Sequence, residues 1–139
     1  MSITQPLLAF SLLLTLCSAF AQIVSTPEKG SEERLRILDA ARVKVAADVS
    51  YRAPLLFKVH DLRVSEGWAL LHAQPVTATG EPIRIDCVEA DEITLVLLRF
   101  REGAWRVERG GTICANDVFW LAWHQELGTP AQLFDLGVD

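Results

Sequence analysis

The sequence predicts an α+β domain in which an N-terminal helix packs on a four-stranded antiparallel sheet, followed by a short C-terminal aromatic helix. Residues 32–47 repeat apolar side chains at three- and four-residue spacing, as an amphipathic helix does. Four apolar segments separated by turn residues follow, and the clearest hairpin among them spans residues 92–112. Aromatic residues then cluster around position 120. This order of helix, strands and helix is typical of a two-layer α+β arrangement.

The chain begins with 21 residues that contain no charged side chain and no histidine. They end in Ala19–Ala21, a small-x-small pattern that signal peptidase accepts, so we predict a signal peptide over residues 1–21. The alternatives are an uncleaved membrane anchor and a lipoprotein acylated at Cys17. The apolar run is shorter than the ~20 residues of a spanning helix. Leu16 stands where bacterial lipoboxes, which the stretch otherwise resembles, carry a small residue.

Export predicts a periplasmic or secreted protein, and the rest of the 139-residue chain has the size of one domain. We expect a flexible leader over residues 22–30, a single domain over residues 31–135 and a tail over residues 136–139. The formal net charge is −5. Because no basic stripe is present, the sequence argues against a nucleic-acid partner. It also predicts no stable membrane insertion once the signal is cleaved.

Ser31 is a good N-cap for the first helix, and Glu32 and Glu33 fall in the first turn, where the helix dipole favours anions. The helix is expected to end near Ala47, before the break at Pro54. Its apolar stripe is expected to consist of Leu35, Leu38, Ala41, Val45 and Val49.

The first two strands are predicted over Leu56–Val64 and Trp68–Gln74, joined by a turn at Glu66-Gly67. The apolar parity of the first strand slips at His60-Asp61, which predicts a β-bulge. Pro75 is expected to end the second strand because proline lacks the N–H that a ladder needs.

A short edge strand is expected over Ile83–Cys87, ahead of the main hairpin. In that hairpin the first strand is apolar on both faces, which predicts a central strand covered on both sides. Counting across the Glu102-Gly103 turn places Cys114 opposite Asp91, with Cys87 four residues further along. We therefore predict a Cys87–Cys114 disulfide that stabilises the fold by about 3 kcal/mol. Two separate buried thiols are the alternative.

The strand pattern is expected to end at Gly110-Gly111 and to be followed by a helix. Asn116 or Asp117 is a suitable N-cap for a helix over Val118–Leu127, and Gly128 is a suitable terminator. Residues 131–134 are apolar again and are expected to form one more turn.

Trp120 and Trp123 lie three residues apart and would share one helical face. We expect Trp120 to be the buried ring because Phe119 and Leu121 flank it. Trp123 is followed by the polar residue His124, so it is expected to stand at the rim. Trp123 and His124 are therefore the candidate partner-binding residues, since tryptophan is enriched at binding hot spots.

The predicted order of elements resembles the cystatin-like and NTF2-like folds. Segments Gly67–Ala69, LLRFREGAWRVERG at residues 97–110 and DVFWLAW with GTPAQLF at residues 117–134 resemble uncharacterised secreted bacterial proteins. The resemblance implies fold and export. It brings no catalytic motif with it.

The three histidines match no zinc signature. His60 and His72 are expected to be approximate cross-strand neighbours, so a metal site with Asp61 is one interpretation and an ordinary sheet face is the other. The acidic cluster at residues 86–92 lacks EF-hand spacing and is expected to be a solvated loop rather than a calcium site.

Catalytic patterns are equally sparse, since the chain contains no GxSxG elbow and no P-loop. Asp48 or Glu108 at the open end of the helix–sheet layer is a candidate general base. The leading hypothesis is a non-enzymatic, cofactor-free binding module of the cell envelope, with an unknown envelope protein or peptidoglycan-associated partner. An inhibitor or immunity-like protein is a sharper version. The alternative is an NTF2-like small-ligand-binding or enzymatic domain with a pocket between helix and sheet.

Overall fold

A computed structural model describes residues 23–135, and the predicted signal peptide at 1–21 and tail at 136–139 lie outside this range. It confirms the α+β class. Within residues 23–135 no helix combines the length and apolar character needed to cross a membrane. The elements are α1 (Glu32–Asp48), β1 (Leu56–Ser65), β2 (Trp68–Val76), β3 (Asp91–Arg101), β4 (Ala104–Ala115), α2 (Leu121–Leu127) and a 3₁₀ turn (Ala131–Phe134).

The four strands form one antiparallel sheet in the order β1-β2-β3-β4, so β3 is an interior strand. Its alternate residues face two different cores. Val96 and Leu98 pack with α1, whereas Leu95 and Leu97 pack with the C-terminal segment. The prediction of a central strand covered on both sides is therefore confirmed, and the strand lacks a polar face for this reason.

Helix α1 begins as predicted, with the Ser31 hydroxyl accepting a hydrogen bond from the Arg34 backbone N–H at 3.3 Å. Its fully buried residues are Ile37, Ala41 and Val45, spaced four apart along one face. The expectation that Leu35 lies on the buried stripe is wrong, because Leu35 is exposed. Leu35 lies two positions before Ile37, which corresponds to about 200° around the helix axis.

The predicted bulge in β1 is confirmed. Val59 pairs with Ala73 and Asp61 pairs with His72, so His60 has no partner in the ladder. The extra residue lets Phe57 and Val59 before the bulge, and Leu62 and Val64 after it, all pack in the core beneath α1. This is why the apolar parity of the sequence changes at that point.

Strand β2 does not end at Gln74 but continues through Pro75 to Val76. Pairing of β2 with β3 stops at Ala73, so the missing N–H of Pro75 costs no bond to β3. The predicted strand over Ile83–Cys87 is not formed. The segment has a single bridge to the sheet, between Val76 and Pro82. The Ile83 N–H donates to the Pro75 carbonyl at 2.9 Å, and the Gln74 side chain donates to the Ile83 carbonyl at 3.2 Å.

The described part of the leader is not free, contrary to the prediction. Ser25 and Val64 exchange two backbone hydrogen bonds of 2.9 and 2.8 Å, which covers part of the outer edge of β1. Pro27 is buried, and its carbonyl accepts a bond from Arg34 at 3.1 Å. An exposed strand edge offers unpaired backbone groups, and the leader satisfies some of them here.

The β3–β4 hairpin turns at Glu102-Gly103, as predicted, and both residues have positive φ, as a two-residue turn of the primed type requires. Beyond the turn, Leu98 pairs with Val107 but Leu97 pairs with Arg109. Glu108 is therefore an extra residue in β4, and this bulge shifts all later pairings by one.

The Cys87–Cys114 disulfide is present, with the two Cα atoms 5.5 Å apart. Because of the bulge, Cys114 lies opposite Glu92 rather than opposite Asp91. The bond ties the loop before β3 to the far end of β4, which closes the open end of the hairpin. A structural disulfide fits an oxidising compartment.

Strand β4 does not end at Gly110-Gly111 but continues to Ala115. A Cβ at Gly110 would overlap the Leu95 carbonyl oxygen and come 2.9 Å from the Trp123 ring. A Cβ at Gly111 would overlap the carboxylate of Asp48. The two glycines thus let the end of α1 and the C-terminal helix approach β4 from opposite faces of the sheet.

Candidate functional site

The C-terminal segment begins its helix later than the sequence predicts. Asn116 does not cap a helix, because its side-chain amide donates to the Glu89 carbonyl at 2.8 Å. Helix α2 starts at Leu121, and its N-cap position, Trp120, provides no side-chain bond. The predicted terminator is confirmed, since Gly128 has φ 65° and donates its N–H to the His124 carbonyl.

The expected burial of the two tryptophans is reversed. Trp123 is only 8% exposed and packs with Leu95, Leu97 and the 3₁₀ turn, whereas Trp120 is partly buried. The argument from helical spacing fails because Trp120 precedes the first helical residue. Trp123 is therefore a core residue and not a rim anchor.

His124, the other candidate partner-binding residue, is also engaged within the fold. Its Nδ1 lies 2.5 Å from the Thr129 carbonyl oxygen, and its ring centroid lies 6.3 Å from that of Phe134. The side chain is half-buried. It links α2 to the segment that follows it and presents little free surface to a partner.

The exposed apolar surface of the segment lies just before and at the start of α2. Val118 is 54% exposed and Leu121 is 51% exposed. The Trp120 ring is partly buried against the core on this face of the sheet and makes an edge-on contact with Phe119 at 5.2 Å. Beside it lies a cleft of about 270 Å³, here called the C-terminal cleft, lined by Asp91, Ile93, Ala115, Asn116, Asp117, Val118 and Trp120.

The rim of the C-terminal cleft is anionic. Asp91 and Asp117 line it, and neither forms an ion pair within residues 23–135. Asp86 and Glu89 lie on the adjoining loop, while Glu92 accepts the Ile85 backbone N–H at 3.3 Å and lies 3.8 Å from the Arg84 guanidinium. Unpaired carboxylates around an apolar cleft favour a ligand that is both apolar and positively charged.

The two histidines of the sheet lie together as predicted, with ring centroids 5.0 Å apart. Asp61 binds Arg63 at 2.8 Å, and Arg63 also donates to the Gln132 carbonyl at 3.2 Å. The carboxylate therefore helps to hold the 3₁₀ turn against β1. Across the described chain, no group of three or more His, Cys, Asp or Glu side chains is arranged to hold a metal ion.

Burial lowers the pKa of His72 from its ordinary value of 6.5, and the charge of neighbouring His60 lowers the pKa further, while Asp61 acts in the opposite direction. The folded state thus binds a proton at His72 less readily than the unfolded state. Well above pH 6.5 neither state carries this proton, and the shift costs nothing. As the pH falls below that value, the unfolded state gains protons first and stability decreases.

We therefore expect the free energy of unfolding to fall between about pH 7 and pH 5, a window that lies above most carboxylate titrations. The change of His72 to Gln should flatten this dependence, because it removes the shifted group. Urea unfolding of the wild type and of H72Q at several pH values measures both slopes. Equal slopes for the two proteins would show that His72 does not control the pH dependence.

The space between α1 and the sheet is filled rather than hollow, with Ile37, Leu62 and Val96 almost fully buried there. Both general-base candidates are engaged. Asp48 binds Lys44 at 2.5 Å and accepts the Thr112 backbone N–H at 3.0 Å, and Glu108 is paired with Arg101. These carboxylates support the fold around β4.

Comparison of the chain with protein-family models, with curated proteins and with solved structures finds no significant match. The resemblance to cystatin-like and NTF2-like folds therefore stays a prediction, and the function has to be argued from the geometry of this chain.

Proposed function

We propose that this protein is an exported, non-enzymatic binding module of the cell envelope and that it engages a partner protein through the C-terminal cleft. The observation that carries the proposal is the exposure of Val118 and Leu121 beside Trp120, under a rim that includes the unpaired carboxylates Asp91 and Asp117. The partner surface that fits it is apolar at its centre and basic at its edge.

The energetics of such a contact support this choice of surface. Covering exposed apolar area stabilises a complex by about 25 cal/mol per Å² before the costs of association. A partly buried tryptophan is a suitable anchor because its ring is already held in place, here by Phe119. The acidic rim would raise the association rate with a basic partner and would reject acidic surfaces.

Export to the periplasm or beyond is part of the proposal. It is supported by the Cys87–Cys114 disulfide and by the signal-like residues 1–21. The engagement of Asp48 and Glu108 in ion pairs supports a role without catalysis. An inhibitor or immunity-like protein, which blocks an exported enzyme with a preformed surface, is one form that this role would take.

A site-specific cross-linking experiment tests the proposal. A photoreactive phenylalanine analogue replaces Val118 in the full chain, and the matched control carries it at Val43, another exposed valine, on α1. We expect a discrete protein adduct from position 118 in envelope fractions and none from position 43. The adduct should disappear when Asp91 and Asp117 are changed to Asn in the labelled protein, because the basic partner loses its counter-charges.

Adducts of equal yield from positions 118 and 43 would contradict this assignment of the surface. An adduct whose yield is unchanged by the two Asn substitutions would contradict it as well. Thermal melts of each labelled protein establish that the chain remains folded. Val118 and Val43 are both exposed, so neither replacement disturbs the core.

A further inference from the structure

A second open groove lies at the opposite end of the β3–β4 hairpin, where the turns of both hairpins meet the first turns of α1. Its volume is about 360 Å³. It lies outside the C-terminal cleft and shares no residue with it. This tip groove is lined by Glu32, Glu33, Arg36, Val64, Gly67, Phe100 and Trp105.

The floor of the tip groove is aromatic. Phe100 and Trp105 are direct cross-strand partners, with ring centroids 5.4 Å apart at an angle of 60°. Trp105 packs against the core beneath α1, whereas Phe100 is 45% exposed. A backbone hydrogen bond of 2.8 Å from the Phe100 N–H to the Gly67 carbonyl joins the two hairpins at this point. The exposed ring is thus held by the sheet.

The wall of the tip groove is acidic. Glu32 pairs with Arg36 at 2.5 Å, but Glu33 forms no ion pair in the part of the chain that the structure describes. The Ser31 hydroxyl accepts the first-turn N–H of Arg34, so the cap does not depend on Glu33. The lining of the groove therefore holds two carboxylates and one guanidinium, that of Arg36, so its net charge is negative. This charge lies beside exposed aromatic surface.

An aromatic face attracts a cation through its quadrupole, and a carboxylate beside it adds a charge-assisted hydrogen bond. We propose that the tip groove binds an arginine or lysine side chain presented by a polypeptide, with the cation over Phe100 and its charge facing Glu33. The planar guanidinium fits this arrangement better than the ammonium, because it stacks on a ring while its edge donates to the carboxylate. The side chain's methylenes would cover part of the apolar floor.

This inference does not rest on the C-terminal cleft. The two sites lie at opposite ends of the hairpin, and one can fail without the other. An anion attracted to the start of α1 is the opposing possibility, since the backbone N–H groups there favour negative charge.

Titration of the isotopically labelled domain, followed by NMR, tests the proposal with three probes, and free methylguanidinium is a fourth that separates a polypeptide ligand from a small cation. The first is the peptide acetyl-Gly-Arg-Gly-amide, the second is the same peptide with citrulline in place of arginine, and the third is inorganic phosphate. We expect the arginine peptide to shift the resonances of Phe100, Glu33 and the Trp105 indole with a Kd on the order of 1 mM, as a single side-chain contact would. The isosteric but uncharged citrulline peptide should bind at least about tenfold more weakly.

Two variants assign the contacts. Glu33→Gln and Phe100→Leu should each weaken binding of the arginine peptide by about three- to tenfold. Glu126→Gln, at an exposed glutamate of α2, is the matched control and should leave binding unchanged. Melting curves confirm that each variant is folded.

Equal binding of the arginine and citrulline peptides would overturn the proposal, as would full binding by E33Q. Shifts of the same residues by phosphate would assign the groove to an anion. Binding of free methylguanidinium as tight as that of the peptide would show a small-molecule cation site rather than a polypeptide site.

Discussion

Trp123→Ala is expected to lower the free energy of unfolding by about 3–5 kcal/mol, the usual cost of removing a large buried ring. Trp123 is almost fully buried and fills the space between β3, Phe119 and the 3₁₀ turn. It also lies over Gly110, where no side chain could replace it. Its loss would leave a cavity that the short helix α2 cannot close without leaving the sheet. Chemical denaturation of the folded domain measures the effect.

Trp120→Ala is the matched control. Its ring is partly exposed at the C-terminal cleft, so we expect a loss below about 2 kcal/mol. The comparison remains informative even if the Trp123 variant is largely unfolded, because the Trp120 variant should remain folded. A greater loss for Trp120→Ala than for Trp123→Ala would mean that the described orientation of α2 is incorrect.

Gly110→Ala is expected to lower the free energy of unfolding by about 4 kcal/mol, from two separate causes. Its φ of 88° is unfavourable for alanine, which costs about 1–3 kcal/mol. The added Cβ would also overlap the Leu95 carbonyl oxygen and press on the Trp123 ring. Overpacking of this kind costs about 1–3 kcal/mol more. Because a backbone carbonyl cannot move aside as a flexible side chain can, β3 and β4 would have to separate.

Gly80→Ala separates the two causes. Gly80 has a nearly identical φ of 87°, but a Cβ there would meet no atom within 4 Å. The control should therefore show the backbone cost alone, and the difference between the variants isolates the steric cost. Equal losses, measured by urea unfolding of both variants, would show that the close approach of β3 and Trp123 to Gly110 does not matter for stability.

Local signals in the sequence were sufficient for most of the fold. Ser31 caps α1, Glu102-Gly103 turns the hairpin and Gly128 ends α2, and each acts through the backbone of its own neighbourhood. The parity slip in β1 revealed the bulge at His60 because burial alternates strictly along a strand.

The errors arose where distant residues decide the outcome. The bulge at Glu108 moved Cys114 by one position relative to β3, and no change of apolar parity marked it, because charged residues surround Glu108 in the sequence. The leader was expected to be flexible from its composition, but an open edge of β1 was available to pair with Ser25. Asn116 was predicted to cap a helix, but in the folded chain its side-chain amide donates to the Glu89 carbonyl instead.

The candidate sites show the same division between features set by local sequence and features set by contacts between distant residues. The sequence by itself determined the order of the elements, the two-sided burial of β3 and the pairing of Cys87 with Cys114, because hydrophobic periodicity and turn chemistry are local properties. Only the tertiary structure decided that Trp123 is core, that Trp120 borders a cleft and that the exposed Phe100 lines a groove together with Glu33. Surface shape depends on how separate elements meet, and the burial of a ring is decided by what the rest of the chain places over it.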